Sequence, residues 1–122
     1  MAINEAVQGP GTGGNRQGAV LAKAGRVVAR SHNRSMQLND PIAVAEMDCI
    51  RKAGRRNDQQ ALTLYTTRYP DMLVAGAIVQ FSIGSVVIGL PEHRNQGLDY
   101  LSGKNVPVVF LPMDECSALV NS

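Results

Sequence analysis

Two hydrophobic patterns alternate along the chain. Short apolar or β-branched runs predict strands, and apolar residues recurring every three or four positions predict helices. The first two runs, 18–23 and 26–31, are separated by Ala24-Gly25, a two-residue turn in which glycine can take a positive φ, so they predict a hairpin. The later segments predict helices at 41–54, 70–81 and 97–103 and strands at 61–67, 85–90 and 106–111, with short helices at 2–8 and 113–121 and a polar, glycine-rich loop at 9–18. A hairpin followed by alternating strands and helices is typical of a mixed sheet covered on both faces.

The helix predicted at 41–54 carries an acidic residue among small and apolar ones. Asp40 is expected to cap its N-terminus, with Pro41 in the first turn. Glu46 lies beside the apolar stripe, where a carboxylate is costly unless it is paired or takes part in function. Asp48 is expected to face solvent and to pair with Arg51 or Lys52. The stripe itself consists of Ile42, Ala45, Cys49 and Ala53.

The stretch from Thr63 to Ile78 predicts a buried strand that turns directly into a helix. Pro70 suits the first helical position, because its missing N–H would have no partner there. Asp71 places a negative charge in the first turn, where the helix dipole favours it. A strand that runs into a helix N-terminus forms a polar pocket lined by N–H groups, so we expect a functional site here.

The same stretch resembles the second zinc motif of the cytosine, guanine and tRNA-adenosine deaminase family, Thr-Leu-Tyr-x-x-x-x-Pro-Cys-x-x-Cys-Ala-Gly-Ala-Ile. Thr63-Leu64-Tyr65, Pro70 and Ala75-Gly76-Ala77-Ile78 match it, and Val44-Ala45-Glu46 stands where the first motif, His-Ala-Glu, is expected. The resemblance implies one deaminase-like domain over 1–122. Its fold would be cytidine deaminase-like, an α/β class with a three-layer α/β/α sandwich and a mixed five-stranded sheet.

In that family a histidine and two cysteines hold zinc, and the glutamate moves protons. Here Val44, Asp71 and Val74 occupy the three ligand positions, whereas Glu46 is kept. The resemblance therefore implies a divergent member that lacks all three zinc ligands. We expect no metal at this position and no other cofactor, because two valines cannot bind a metal and one aspartate does not hold zinc.

The first interpretation is a metal-independent, deaminase-like hydrolase that acts on a small, nucleobase-like heterocycle. Glu46 and Asp71 would be the catalytic pair, facing each other across the former zinc position and driving their pKa values apart. Asn33 matches the residue that binds the base in the family, and Arg68 and Tyr69 could bind an acidic or nitro-bearing substituent. The substrate-binding residues predicted on this basis are Asn33, Thr66, Arg68, Tyr69, Val44 and Val74.

Other interpretations stay open. The chain could be an inactive homologue that serves as a binding or dimerisation partner, and the resemblance implies a homodimer. Glu46 and Asp71 could instead be structural, with Asp71 as a helix cap. Residual zinc-type deamination is a further alternative.

Composition and charge narrow the possible partners. A net charge of +2 and an aromatic content of 4% argue against nucleic acid as a partner, since few rings are available to stack on bases. Four cations at 51–56 either complement a helix dipole or contact phosphate or RNA. No apolar run approaches ~20 residues and no signal peptide is recognisable, so no membrane association is expected. Two distant cysteines, Cys49 and Cys116, indicate a reducing cytoplasm.

Overall fold

The structure is a computed structural model, and it describes residues 18–33 and 38–112. Five strands are present, which are β1 (Gly18–Lys23), β2 (Arg26–His32), β3 (Thr63–Thr66), β4 (Ser85–Ile88) and β5 (Val108–Phe110). The described helices are α1 (Ala45–Ala53), α2 (Met72–Gln80) and α3 (Gln96–Gly103), with a short 3₁₀ turn at Gln59–Ala61.

The strands form a single mixed sheet in the order β2-β1-β3-β4-β5. β1 pairs antiparallel with both β2 and β3, whereas β3–β4 and β4–β5 are parallel. The parallel pairs need crossover connections, and α2 and α3 provide them. The mixed five-stranded sheet predicted from the sequence is therefore confirmed.

The hairpin turn is as predicted. Ala24 and Gly25 both have positive φ, 50° and 80°, which is the type I′ geometry that matches the twist of paired strands. Glycine at the second position avoids a left-handed side chain at the more extreme φ.

One face of the sheet carries an aliphatic core under the helices. α1 packs on β1 and β2, and α2 packs against α3. Cys49 lies in this core, fully buried as predicted, and its Sγ donates a hydrogen bond to the Ala29 carbonyl. The largest apolar members of the core are Leu21, Leu64, Val74, Ile78, Val86, Ile88 and Leu101.

The start of α1 differs from the prediction. Asp40 does not cap the helix, because its Oδ1 accepts a hydrogen bond from the Ile42 N–H at 3.0 Å in a local turn. Such a turn competes with helix formation. The helix begins at Ala45, with Val44 as an N-cap that makes no side-chain hydrogen bond. Ile42 therefore leaves the apolar stripe and is 53% exposed.

The prediction that Asp48 faces solvent was wrong. Its side chain is buried against β2 and accepts a hydrogen bond from the Ser31 hydroxyl. The predicted ion pairs are present: Arg51 Nη2 lies 2.7 Å from Asp48 Oδ1, and Lys52 Nζ lies 3.4 Å from Asp48 Oδ2. Burial alone would raise the pKa of Asp48, but the hydrogen bonds from Ser31 and Arg51 outweigh it and hold the pKa below its ordinary value.

The helix after β3 starts two residues later than predicted. Pro70 precedes the helix, Asp71 is its N-cap, and α2 begins at Met72. The predicted helices at 2–8 and 113–121, and the loop at 9–17, lie outside the described residues.

Candidate active site

The end of β3 and the turn after it bring four of the predicted site residues together. Thr66 is buried at the end of β3, and its Oγ1 donates a hydrogen bond to Glu46 Oε2 at 3.2 Å. Thr66 Oγ1 also accepts a hydrogen bond from the backbone N–H of Arg68 at 3.3 Å. Thr66 thus fixes Glu46 to the turn that leads into α2.

Glu46 lies in the first turn of α1 with no solvent exposure. Burial raises the pKa of this carboxyl most strongly, the nearby Arg68 lowers it, and Asp71 adds the smallest upward contribution. The net pKa is above the ordinary value of 4.5. Among the described residues, Glu46 Oε1 has no hydrogen-bond partner.

Arg68 links the two carboxylates of the site. Its Nε lies 3.1 Å from Glu46 Oε2, and its Nη2 lies 2.7 Å from Asp71 Oδ2. The Nε–H is buried and forms no hydrogen bond within the described residues, so its contact with Glu46 is an ion pair without hydrogen-bond geometry. A guanidinium therefore lies between the two carboxylates that were expected to face each other across the former zinc position.

Asp71 uses both carboxylate oxygens. Oδ1 accepts a hydrogen bond from the Val74 N–H at 3.0 Å and caps α2, while Oδ2 accepts one from Arg68. Its side chain is 56% exposed. The mutual repulsion expected between two carboxylates is therefore a minor influence on the pKa of Glu46 compared with burial.

The remaining predicted residues occupy different surroundings. Val74 is fully buried in the core, Asn33 is buried directly after β2, and Val44 is half-buried at the start of α1. Tyr69 is directed towards another loop. Its hydroxyl donates to the Pro91 carbonyl at 2.7 Å and its ring packs on His93, with the ring centres 4.8 Å apart.

The turn is also held from α3. A Cβ on Gly97 would lie 2.3 Å from the Pro70 carbonyl oxygen, so α3 approaches the turn more closely than any side chain allows. Asn95 Nδ2 donates to the same oxygen at 3.2 Å. The turn that carries Arg68 and Asp71 is thus held by Thr66 at the end of β3 and by the start of α3.

These residues do not fit a zinc ion. Val44 and Val74 carry no donor atom, and both oxygens of Asp71 are already engaged. A guanidinium beside the carboxylates would repel a second cation. Cys49 is fully buried in the core, and its thiol donates a hydrogen bond to the Ala29 carbonyl on β2. Residues 18–33 and 38–112 contain no group of three or more His, Cys, Asp or Glu side chains arranged to hold a metal.

Sequence reasoning missed the bridging position of Arg68. Two signals were available, namely the three-residue spacing between Arg68 and Asp71 and the need of a buried Glu46 for a partner. The spacing between Glu46 and Arg68 in the chain gave no sign that they would meet.

The five-stranded mixed sheet with helices between its parallel strands and a polar site after β3 places the chain in the α/β class. Residues 1–90 match the sequence profile described as the cytidine and deoxycytidylate deaminase zinc-binding region. This match covers most of the chain, which therefore belongs to that family.

Several relatives are named as tRNA deaminases. A tRNA-specific adenosine deaminase of Aquifex aeolicus is 27% identical over 132 residues, covering 99% of this chain and 87% of that protein. One from Agrobacterium fabrum is 47% identical over 85 residues, covering 67% of this chain and 56% of that protein. The chloroplastic tRNA(adenine(34)) deaminase of Arabidopsis thaliana is 40% identical over 78 residues, and the match spans 62% of this chain but 6% of that protein.

Solved structures agree on the fold. One from studies of A-to-I editing by tRNA:A34 deaminases superposes with a TM-score of 0.83 at 30% identity, covering 97% of this chain and 94% of that one. A guanine deaminase from Nitrosomonas europaea superposes with a TM-score of 0.75 at 16% identity, covering 98% and 77%, and shows the fold alone. The predicted fold class is confirmed.

The comparisons overturn one prediction. Nucleic acid was not expected as a partner, yet the relatives are named for their action on tRNA. The expectation failed because net charge and aromatic content average over the whole chain, whereas binding depends on local surfaces. No helix within the described ranges has the length and hydropathy that crossing a membrane requires.

Proposed function

We propose that this chain is a metal-independent hydrolase of the deaminase family that acts on an amine-bearing, nucleobase-like heterocycle. The names of its relatives favour a base that is carried in RNA of the tRNA type. The observation that supports this proposal most strongly is the environment of Glu46. This residue is fully buried and ion-paired with Arg68, and its Oε1 has no hydrogen-bond partner among the described residues.

Glu46 is assigned as the proton-transfer residue. A buried carboxylate with a free oxygen can take a proton from an attacking water and return it to the departing amine. Burial favours the protonated form and so moves the pKa towards the working range of such a residue. Thr66 keeps the carboxylate in one orientation through Oε2 and leaves Oε1 for the reaction.

Arg68 is assigned as the source of positive charge. When water attacks the amine-bearing carbon and gives a proton to Glu46, the electron pair of the C=N bond moves onto the adjacent ring nitrogen, and a preorganised cation stabilises the negative charge there. The guanidinium is held by Glu46 and Asp71 in a turn fixed by α3. Its Nε–H lies beside Glu46, so a donor and an acceptor stand together, which suits the amidine edge of an aminated base.

Asp71 is assigned a positioning role, because it caps α2 and holds Arg68 from the exposed side. Asn33, Val44 and Val74 remain proposed as parts of the pocket wall, and Tyr69 as support for the loop at Pro91. Zinc independence is supported by the donor set, in which two of the three ligand positions of the family are valines.

The test is hydrolytic release of ammonia by the purified chain, with and without a chelator. Substrates are free adenine, guanine and cytosine and an RNA stem-loop that carries adenosine in its loop. We expect turnover that survives the chelator, falls at least about a hundredfold in Glu46→Gln, and is unchanged in Glu92→Gln, a matched control at an exposed loop position. Equal rates for wild type and Glu46→Gln, or activity that needs added zinc, would contradict the proposal.

A second candidate follows from the same contacts. Arg68, Thr66 and the α2 N-terminus engage most oxygens of the two carboxylates, as expected for a structural cluster. The chain would then be an inactive homologue that binds RNA or pairs with another copy. Absence of hydrolysis on every substrate, together with RNA binding or a dimer in sedimentation equilibrium, identifies this case. The homodimer and the cytoplasmic location stay predictions.

A further inference from the structure

A basic groove lies beside the β1–β2 turn, away from the candidate active site. It has a volume of about 720 Å³, and its lining includes Lys23, Arg26 and Arg56 with a floor of half-buried Val27 and Val28. β1 runs antiparallel to β3, and Ala22 pairs with Thr63 at the start of that strand. Glu46 contacts Thr66 at the other end of β3, so the groove and the candidate active site lie at opposite ends of the strands.

Two of the three cations of the groove, Lys23 and Arg56, pair with one carboxylate. Asp58 Oδ2 lies 2.9 Å from Lys23 Nζ, and Asp58 Oδ1 lies 2.7 Å from Arg56 Nε. The hydrogen bonds from Arg56 and then from Lys23 hold the pKa of Asp58 well below its usual range, so Asp58 stays ionised at neutral pH. Lys23 and Arg56 come from different segments of the chain and thereby share one anionic partner beside the groove.

Positive charge remains after this pairing. Lys23, Arg26 and Arg56 are balanced within the groove by Asp58 alone, and the structure of residues 18–33 and 38–112 shows no ion pair at Arg26. Exposed Arg55 adds a further cation next to Arg56 in the chain. By contrast, Arg51 and Lys52 both pair with Asp48 and are partly neutralised. The basic cluster at 51–56 therefore divides into a paired half and a half that adjoins the groove.

We infer that this groove binds the ribose-phosphate backbone of an RNA, outside the site that holds the reacting base. The guanidinium of Arg26 suits phosphate, which arginine contacts in a bidentate manner. Arg56, whose Nε and Nη2 both donate to Asp58, adds positive charge beside it. The apolar floor suits the uncharged faces of ribose rather than a second row of charges. The relatives' action on tRNA makes a structured RNA the occupant that we commit to. The inference concerns binding and holds whether or not Glu46 is catalytic.

The experiment measures binding of an unmodified tRNA transcript by fluorescence anisotropy at several monovalent salt concentrations. Each phosphate contact contributes about 0.7 to 0.9 to the slope of log K against log salt. Arg26→Ala is expected to lower the slope by about one and to weaken binding roughly five- to eightfold near 0.1 M salt. Arg26→Lys keeps the charge and should keep the slope, but it loses the bidentate contact and should bind less tightly than the wild type, between the wild type and Arg26→Ala.

Lys104→Ala is the matched control, because Lys104 is also an exposed cation and lines a different groove. An equal loss in Lys104→Ala and Arg26→Ala would overturn the inference, since binding would then follow total charge. An unchanged slope in Arg26→Ala would overturn it as well. Polyglutamate and phosphatidylserine vesicles serve as competing ligands, and binding to either that matches the affinity for tRNA refutes RNA as the occupant. Performing the titration in Glu46→Gln separates this inference from the proposed function, because we expect the same slope there.

Discussion

Replacing Arg68 by methionine removes the cation beside a fully buried carboxylate. Arg68→Met keeps much of the side-chain volume, so the main change is electrostatic. Removing one partner of a buried ion pair costs about 3–5 kcal/mol, because the other charge is left uncompensated. Arg68 is 19% exposed and Glu46 not at all, which places the expected loss near the lower end, at about 3 kcal/mol at pH 7.5. The contact with Asp71, 56% exposed, adds little.

The loss has a ceiling and a pH dependence. Glu46 can take up a proton instead of remaining as a lone buried charge, and this costs about 1.4 kcal/mol for each pH unit above its ordinary pKa of 4.5. At pH 7.5 the ceiling is about 4 kcal/mol. A raised pKa gives stability that is fully present below the unfolded value and is lost as pH rises. The destabilisation by Arg68→Met should therefore fall to about 1 kcal/mol or less at pH 5.

Urea denaturation at pH 5 and pH 7.5 measures both values. Arg94→Met is the control, since Arg94 pairs with Asp99 on the surface and is 85% exposed. Arg94→Met should lower the free energy of unfolding by no more than about 1 kcal/mol at both pH values. The double variant Glu46→Gln/Arg68→Met should recover most of the stability that Arg68→Met loses, because no charge is then buried.

Two results would refute this reasoning. A destabilisation by Arg68→Met that is the same at pH 5 and pH 7.5 would mean that Glu46 does not titrate in response to the lost cation. Additive losses in the double variant would mean that Glu46 and Arg68 are energetically independent despite their 3.1 Å separation.

Three further predictions concern the supporting contacts. Because the pKa of Asp48 is depressed, its stabilising contribution is present at neutral pH and is lost as pH falls. Asp48→Asn should therefore be more destabilising at pH 7 than at pH 3 in thermal unfolding. The opposite order would contradict the hydrogen-bond network around Asp48. Asp71→Ala should lose the cap of α2 and cost about 0.5–2 kcal/mol in urea denaturation, whereas Asp71→Asn should keep the cap; equal losses would argue against capping. Gly97→Ala should lower the free energy of unfolding by about 1–3 kcal/mol, because its Cβ would clash with the Pro70 carbonyl. At Gly103 in the same helix a Cβ meets no atom within 4 Å, so Gly103→Ala should be neutral or stabilising. Similar effects at the two positions would refute the close approach of α3 to the turn.

The sheet could be predicted from the sequence because its signals are local. Alternating apolar residues and the Ala24-Gly25 turn define the hairpin, and the strand run into Asp71 marks the start of α2. The resemblance of the residues around Pro70 to the deaminase motif indicated the order of strands and helices. These features need no knowledge of distant contacts, and the observed strand bounds differ from the predicted ones by a few residues at most.

The errors arose where a distant or competing partner decides the outcome. Asp48 is buried because Ser31 on β2 supplies a hydrogen bond, and no helical periodicity reports that. Asp40 forms a turn with Ile42 rather than a cap, which local propensity permits equally well. Arg68 reaches Glu46 through the fold, so the sequence placed both residues at the site without giving their pairing.

The central claim is that Arg68 supplies the positive charge at this site in place of a metal. Zinc content, measured by elemental analysis of protein dialysed against zinc without chelator, tests it most directly. We expect far less than one zinc per chain for the wild type. One zinc per chain would contradict the account, since it would require a ligand set that Val44, Asp71 and Val74 do not supply.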